Sequence, residues 1–403
     1  MTALDRRAPW LLPAATIVVA VALYAFRRPD QLSHPMVWAE ETVILGKWLN
    51  GQASALIDPV AGQSVLISSW LVSLAGSISV RHLPQVELIL MLGVFTATLL
   101  LLILPASVWG PRWLRCLMAL SLALVPINPE PYLVLLFAFW WVSFWPLIIL
   151  GWRRDLYAVR IPVLVLAGIS SLAASLAAPL FAVAWLLRRE RRDLVSAIVL
   201  LPCLVLQIAV VETAHRQYPP LQARTIFLQV ARDFTLYFRD LPLGVVPDRS
   251  TAAIEAFAAL CVLALLVAIL RLPRRGARVA GVALLLGVLG YAALSAIPSP
   301  LLTNPSGDGP RYYFLPYGLL GLLLLFLIGA SRDLVVRVIA IAVLVIALLP
   351  LRHDYSRQAD PVSWGDAVDA CAASPDATYA LPVQSDGRAE ALWVLVVPTS
   401  ICR

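Results

Sequence analysis

The chain has 403 residues, is 61% hydrophobic and only 14% charged, and has a mean hydropathy of +0.84. A soluble protein is about 45–50% apolar and about 25% charged, so a single water-facing core cannot absorb this excess and lipid must solvate much of the surface. The net charge of +7 would suggest a nucleic-acid partner in a soluble chain. Here the arginines fall in short clusters between apolar runs, the positive-inside pattern, which argues for membrane lipid and against nucleic acid.

In lipid every backbone N–H and C=O must be paired within the protein, so only helices or a closed barrel can cross. The apolar runs are rich in Leu and Ala and do not alternate, which indicates helices. The expected fold is an all-α polytopic membrane protein with about eleven transmembrane helices, at 10–26, 85–105, 113–126, 132–150, 161–174, 176–187, 194–212, 253–271, 279–297, 313–330 and 335–351. The first run, Trp10 to Phe26, follows Arg6 and Arg7 without a small-residue cleavage site after it, and reads as an uncleaved first span. Residues 27–84 form a long first outer loop. Its apolar stretch 64–80 reads as a helix lying at the membrane surface with Trp70 as anchor, because counting it as a crossing would move Arg112 and Arg115 outside. The stretch 161–187 has strongly basic flanks, which require an even number of crossings. It reads as a short hairpin turning near Ser175, with Pro179 opening the second arm.

With these spans the basic clusters Arg6/Arg7, Arg112/Arg115, Arg153/Arg154/Arg160, Arg188/Arg189/Arg191/Arg192, Arg271/Arg274/Arg275/Arg278 and Arg332/Arg337 share one side. Most of the 24 acidic residues share the other. The expected topology is N-terminus cytoplasmic and C-terminus extracytoplasmic, in a multi-pass protein of a bacterial cytoplasmic membrane. Residues 1–351 then form the membrane domain, and 352–403 a small extracytoplasmic C-terminal α/β cap with short β-like runs such as Trp393 to Val397. Cys371 and Cys402 lie in that tail, where they form a disulfide or stay as free thiols; Cys116, Cys203 and Cys261 sit in or beside apolar runs as small core residues.

The stretch richest in chemistry is the first outer loop, from Arg27-Arg28-Pro29-Asp30 through His34 to Glu40-Glu41-Thr42. A glutamate pair at the water–lipid boundary, flanked by Trp38 and Trp48, can take a proton from an acceptor hydroxyl, and adjacent like charges raise one pKa. The plainer reading is a solvated helix face. Glu130, on a tight turn before an expected span, is either a second acid or a carboxylate favoured by the dipole of the following helix. Arg311-Tyr312-Tyr313 opens a late span. It is either an interfacial anchor or a guanidinium placed to bind phosphate through bidentate, charge-assisted bonds. All four histidines fall outside the apolar runs without metal-ligand spacing; His34 is the one near Glu40 and Glu41. Asp58 reads as part of the same loop wall.

These motifs, in this order, resemble the GT-C superfamily of membrane glycosyltransferases, which use polyprenyl-phosphate-linked sugars. The likeness covers most of the chain and includes an acidic motif in a long first outer loop, surface-lying helices before the second span and a soluble C-terminal part on the same side. Bacterial members carry an Asn-Pro-Glu in the second outer loop, here Asn128-Pro129-Glu130, and an Arg-Tyr opening a late span, here Arg311-Tyr312. The resemblance implies an inverting glycosyltransferase acting in cell-envelope glycan assembly. Glu40 or Glu41 would be the base, Glu130 a second acid facing the same cavity, and Arg311 with Tyr312 the partner of the leaving phosphate. The implied partners are a polyprenyl-phosphate sugar donor and a glycan, lipid or protein acceptor. The chain reads Glu-Glu where many members carry an Asp, which leaves open both the identity of the base and a need for a divalent cation such as Mg2+ or Mn2+. The alternative is a transporter or lipid-linked glycan flippase without transferase chemistry. Such proteins place ionisable residues near the midplane, and no Asp, Glu, Lys or Arg falls in the middle of an expected span. An acyltransferase with a histidine inside a span finds no such residue, and a non-catalytic envelope scaffold would share the same sequence features.

Overall fold

A computed structural model describes residues 10–60, 62–127, 129–214, 226–228, 230–232, 237, 251–295, 311–348, 363–383 and 394–403, with the side chains of 251–254, 295, 346 and 348 excepted. The fold is mostly helical, 75%, with one two-stranded sheet among the described residues. In chain order the helices are α1 (Leu11–Phe26), α2 (Pro29–Ser33), α3 (Thr42–Leu49), α4 (Leu66–Ile78), α5 (Leu83–Ile103), α6 (Arg112–Ala123), α7 (Ala138–Val142), α8 (Trp145–Leu150), α9 (Tyr157–Ser170), α10 (Leu172–Ser175), α11 (Ala177–Arg188), α12 (Arg191–Thr213), α13 (Thr251–Leu270), α14 (Arg275–Ser295), α15 (Arg311–Ala330), α16 (Leu334–Leu348) and α17 (Trp364–Ala373). Short 3-10 turns cover Ala39–Glu41, Ala53–Leu56 and Leu135–Phe137.

Among the described residues four helical stretches are long and apolar enough to cross a membrane: Leu83–Ile103, Arg191–Thr213, Arg275–Leu294 and Arg311–Ala330. Their outer faces carry apolar side chains such as Ile89, Ile198, Leu201 and Val205 open to the surroundings, which fits a lipid solvent. α15 is the central element. Every residue from Tyr313 to Leu327 is buried, and the helix packs on α6, α14 and α16. Close approach is made possible by Gly318, where a Cβ would stand 2.6 Å from the Phe144 ring. α1 packs on α5 and α6, while α9 and α11 both pack on α12.

The segment 132–150, expected as one span, holds an apolar helical stretch over Leu135–Leu150. It runs as a 3-10 turn, α7 and α8, and all its residues except Trp140 are buried. Pro129 and Pro131 precede it and Pro146 stands in the first turn of α8. Leu133 adopts a left-handed φ of 60°, which a non-glycine residue enters rarely. The helical ladder therefore cannot form across 133–136. Two of the backbone donors it would have used are taken by side chains from elsewhere: Leu133 N–H donates to the Tyr24 hydroxyl at 3.1 Å, and Leu136 N–H to Glu41 Oε1 at 2.9 Å.

Over the expected hairpin, α9 ends at Ser170, and Ser171, extended in backbone, caps the four-residue α10 with its side chain; a second break at Leu176, beside Ser175, separates α10 from α11. α4 has 13 residues, about 20 Å at the helical rise, shorter than a hydrocarbon core of about 30 Å. It packs on α3, α5 and α9, and Ser68 Oγ donates to Leu136 O.

The chain's last described part is a small α/β unit. β1 (Thr378–Pro382) pairs antiparallel with β2 (Val394–Pro398), and Cys371 of α17 is disulfide-bonded to Cys402. The unit rests on the first loop. Trp364 Nε1 donates to Val80 O at 2.8 Å, Arg81 forms an ion pair with Asp369, and Asn50 Nδ2 reaches Val396 O. Contacts thus gather residues 27–84, 125–136, Arg311 and the terminal unit at one end. At the other end they gather residues 102–115, 148–160 and 188–196.

Candidate functional site

Three segments far apart in the chain meet at Arg311, the first residue of α15. Its Nη2 lies 3.2 Å from Glu40 Oε1, and its Nη1 lies 3.0 Å from Glu130 Oε1 and 3.3 Å from Glu40 Oε2. The guanidinium also stands over the rings of Phe137 and Tyr312, 5.8 and 5.6 Å from their centres. The two carboxylates differ in access: the Glu130 side chain is 7% exposed and Glu40 34%. Arg311 therefore bridges a buried carboxylate, Glu130, and a more exposed one, Glu40.

The walls are built by α1 and the loop after it. Arg27 and Arg28 are almost wholly buried. Arg27 donates to Val125 O and Ile127 O and stacks on the Tyr132 ring at 4.7 Å. Arg28 is gripped by Asp30 through two bonds of 2.8 and 2.9 Å, and its Nη1 donates to the backbone oxygen of Glu130 at 2.9 Å. The turn that carries Glu130 is therefore held by carbonyl contacts from the end of α1. Tyr24, Phe95, Tyr132, Trp141 and Phe314 form a contiguous set of ring contacts beneath it.

Glu40 and Glu41 are adjacent but play different parts. Glu41 is 1% exposed, and its two oxygens accept from Trp38 N–H at 2.8 Å and Leu136 N–H at 2.9 Å. Burial raises its carboxyl to about 7, against the pull of those backbone donors, and the Glu40 charge adds to the rise. Glu41 thus ties the first loop to the broken segment, while Glu40 faces Arg311.

Of the residues singled out from the sequence, Glu40, Glu130, Arg311 and Tyr312 come together. His34 does not: it is exposed, with Nδ1 3.0 Å from Ser33 Oγ. Asp58 also stands apart, in an ion pair with Lys47 at 2.7 Å whose hydrogen bond holds its carboxyl below the ordinary range. No helix begins at Glu130, so the dipole reading of that residue has no helix to act through; its partner is Arg311. Asn128, the loop before Arg311, and most of 213–252 with its Arg224, Asp233, Arg239 and Asp240 lie outside the described residues.

Sequence reasoning missed Arg27 and Arg28 as structural staples. A signal existed, because an arginine pair directly after an apolar run, on the side expected to be net acidic, asks for internal acceptors. It also missed Glu87, 3% exposed in the first turns of α5.

Among the described residues no group of three or more His, Cys, Asp or Glu is placed to hold a metal ion. The two carboxylates that converge take a guanidinium between them. Comparison with known proteins gives no matching family model, no matching characterised sequence and no matching solved structure.

Proposed function

We propose that the chain is an inverting membrane glycosyltransferase of the GT-C kind, taking a sugar from a polyprenyl-phosphate donor to an extracytoplasmic acceptor. The observation that carries the reading is the meeting of Glu40 and Glu130 on Arg311, across 271 and 181 positions of sequence. The same three residues carry the resemblance to that superfamily. The reading includes about eleven crossings, the N-terminus in the cytoplasm, and the Arg311 end at the outer face of a bacterial cytoplasmic membrane.

The chemistry follows from the asymmetry of the pair. A donor phosphate competes for the Arg311 guanidinium, and Glu40 is the more exposed carboxylate and the one it displaces. Glu130, held by its buried turn, stays to orient Arg311. Released Glu40 takes the proton of the acceptor hydroxyl, whose oxygen attacks the anomeric carbon from the face opposite the phosphate. The bond from that carbon to the phosphate oxygen breaks, its electron pair stays on the phosphate, and Arg311 stabilises the charge as it develops. Donor binding thereby activates the base.

The test is sugar transfer from synthetic polyprenyl-phosphate sugars. Glu40→Gln and Arg311→Ala are expected to lower turnover by at least about a hundredfold, the scale of losing a base or an electrostatic stabiliser, while the proteins elute and melt like wild type. Full activity in Glu40→Gln removes the base assignment. Activity of Arg311→Ala at the wild-type level removes the phosphate partner.

A further inference from the structure

At the end of the bundle opposite Arg311, the segment 151–160 and the turn joining α11 to α12 bring seven arginines together: Arg153, Arg154, Arg160, Arg188, Arg189, Arg191 and Arg192. We propose that this corner is a binding site for an anionic phospholipid headgroup.

The arginines divide by burial. Arg160 donates to Ser196 Oγ and Ile149 O, and Arg188 donates to Leu150 O and lies 3.9 Å from the wholly buried Asp193. Arg192 takes Glu190 and Asp155 and donates to the carbonyl of Arg153. The three nearby acids are therefore committed to Arg188 and Arg192. The other four arginines, Arg153, Arg154, Arg189 and Arg191, are exposed, and among the described residues no carboxylate lies within ion-pair distance of them. Buried arginines build the corner and exposed ones present its charge. Guanidinium groups are suited to a phosphodiester because their forked donors match its oxygens.

The flanks fit a lipid rather than a soluble anion. Leu156 and Val159 at the start of α9, and Leu186 and Leu187 at the end of α11, are open apolar side chains next to the charged corner. Arg189 stands 5.3 Å from the centre of the Trp185 ring, an aromatic at interfacial position. Arg189 also occupies the left-handed C-cap of α11 at φ 61°, a backbone state that favours glycine. The local fold would be served better by glycine, and the corner instead carries a further cation.

The site stands on the membrane reading and not on the transferase chemistry, so it is tested without turnover. Purified protein in neutral detergent is titrated with phosphatidylglycerol and read by native mass spectrometry, with phosphatidylcholine and inorganic phosphate as competitors. The expected result is retained phosphatidylglycerol that neither competitor displaces at equal concentration. Arg153→Gln/Arg154→Gln/Arg189→Gln/Arg191→Gln should bind about tenfold or more weakly, since each cation near an anionic lipid contributes. Arg271→Gln/Arg274→Gln/Arg275→Gln, which strips a second exposed cluster, should bind like wild type. Arg189→Gly separates folding from binding, with an equal or higher melting temperature and weaker lipid retention. Unchanged binding in the fourfold variant, an equal loss in the threefold control, or displacement by inorganic phosphate would each overturn the proposal.

Discussion

Glu41 commits both carboxylate oxygens to backbone N–H groups that have no helical partner, and this decides what its removal does. Glu41→Ala leaves two buried donors unsatisfied, at about 1–3 kcal/mol each, and should lower the melting temperature in detergent markedly. Glu41→Gln keeps one acceptor oxygen and should fall between alanine and wild type. A melting temperature for Glu41→Ala equal to wild type would remove the capping role. The pH dependence has a definite sign. A carboxyl raised to about 7 in the folded state from its ordinary value of 4.5 holds its proton more tightly there than in the unfolded chain. Its contribution to stability is therefore full below about 4.5, falls as pH rises through the window to about 7, and is flat above. A melting curve that rises with pH over that window in wild type, and does the same in Glu41→Gln, would contradict it. The sequence offered the Glu40-Glu41 pair but not the division of labour, because one position along a 3-10 turn swings a side chain from Arg311 to the core. Arg311 and Glu130 were legible as candidates from their places at a span end and a tight turn. Their pairing was not, since a separation of 181 positions leaves no local signal.

At the scale of elements, apolar length was readable and continuity was not. The long runs that became α5, α12, α14 and α15 show in composition alone. The segment 132–150 is as apolar as they are, and buried helix and buried irregular chain look alike when every residue is hydrophobic and no periodicity is present. The irregular backbone is tolerated because Tyr24 and Glu41 reach in to satisfy it, an arrangement no window of local sequence contains. The terminal unit illustrates the opposite case. Its strands alternate exposed and buried residues, and Leu395 and Val397 face inward while Val394 and Val396 face out. The Cys371–Cys402 bond spans 31 positions, and a loop of that length corresponds to about 3–4 kcal/mol of restricted chain entropy. Reduction, or Cys402→Ser, should expose α17 and both strands to hydrogen exchange first while α14 and α15 stay protected. Uniform loss of protection would mean that the unit and the helical bundle unfold together.

For the whole molecule the relevant fact is sorting. One end collects the carboxylates that face Arg311, and the other collects the arginine corner. Charge bias in the loops had suggested two such sides before any contact was known, and that inference rests on counting, not on pattern. The proposed orientation is checked by single-cysteine variants at Arg154 and Arg189 in a background lacking Cys116, Cys203 and Cys261. In intact cells an impermeant thiol reagent should leave both unmodified, and in inverted vesicles it should label both. Labelling in intact cells would place the arginine corner outside and turn the Arg311 end toward the cytoplasm, away from the acceptor.

Arg311 also sets an order on biogenesis. Translation reaches it 181 codons after Glu130, and at about 5–20 residues per second that is roughly ten to forty seconds later. During that interval the ribosome has delivered both acids and not the cation that joins them. The three residues can meet only once α15 is made, so a nascent chain stalled before this helix carries the acidic loops without their lock. The last-made third of the chain thus decides when the first-made loop gains its contact to Arg311.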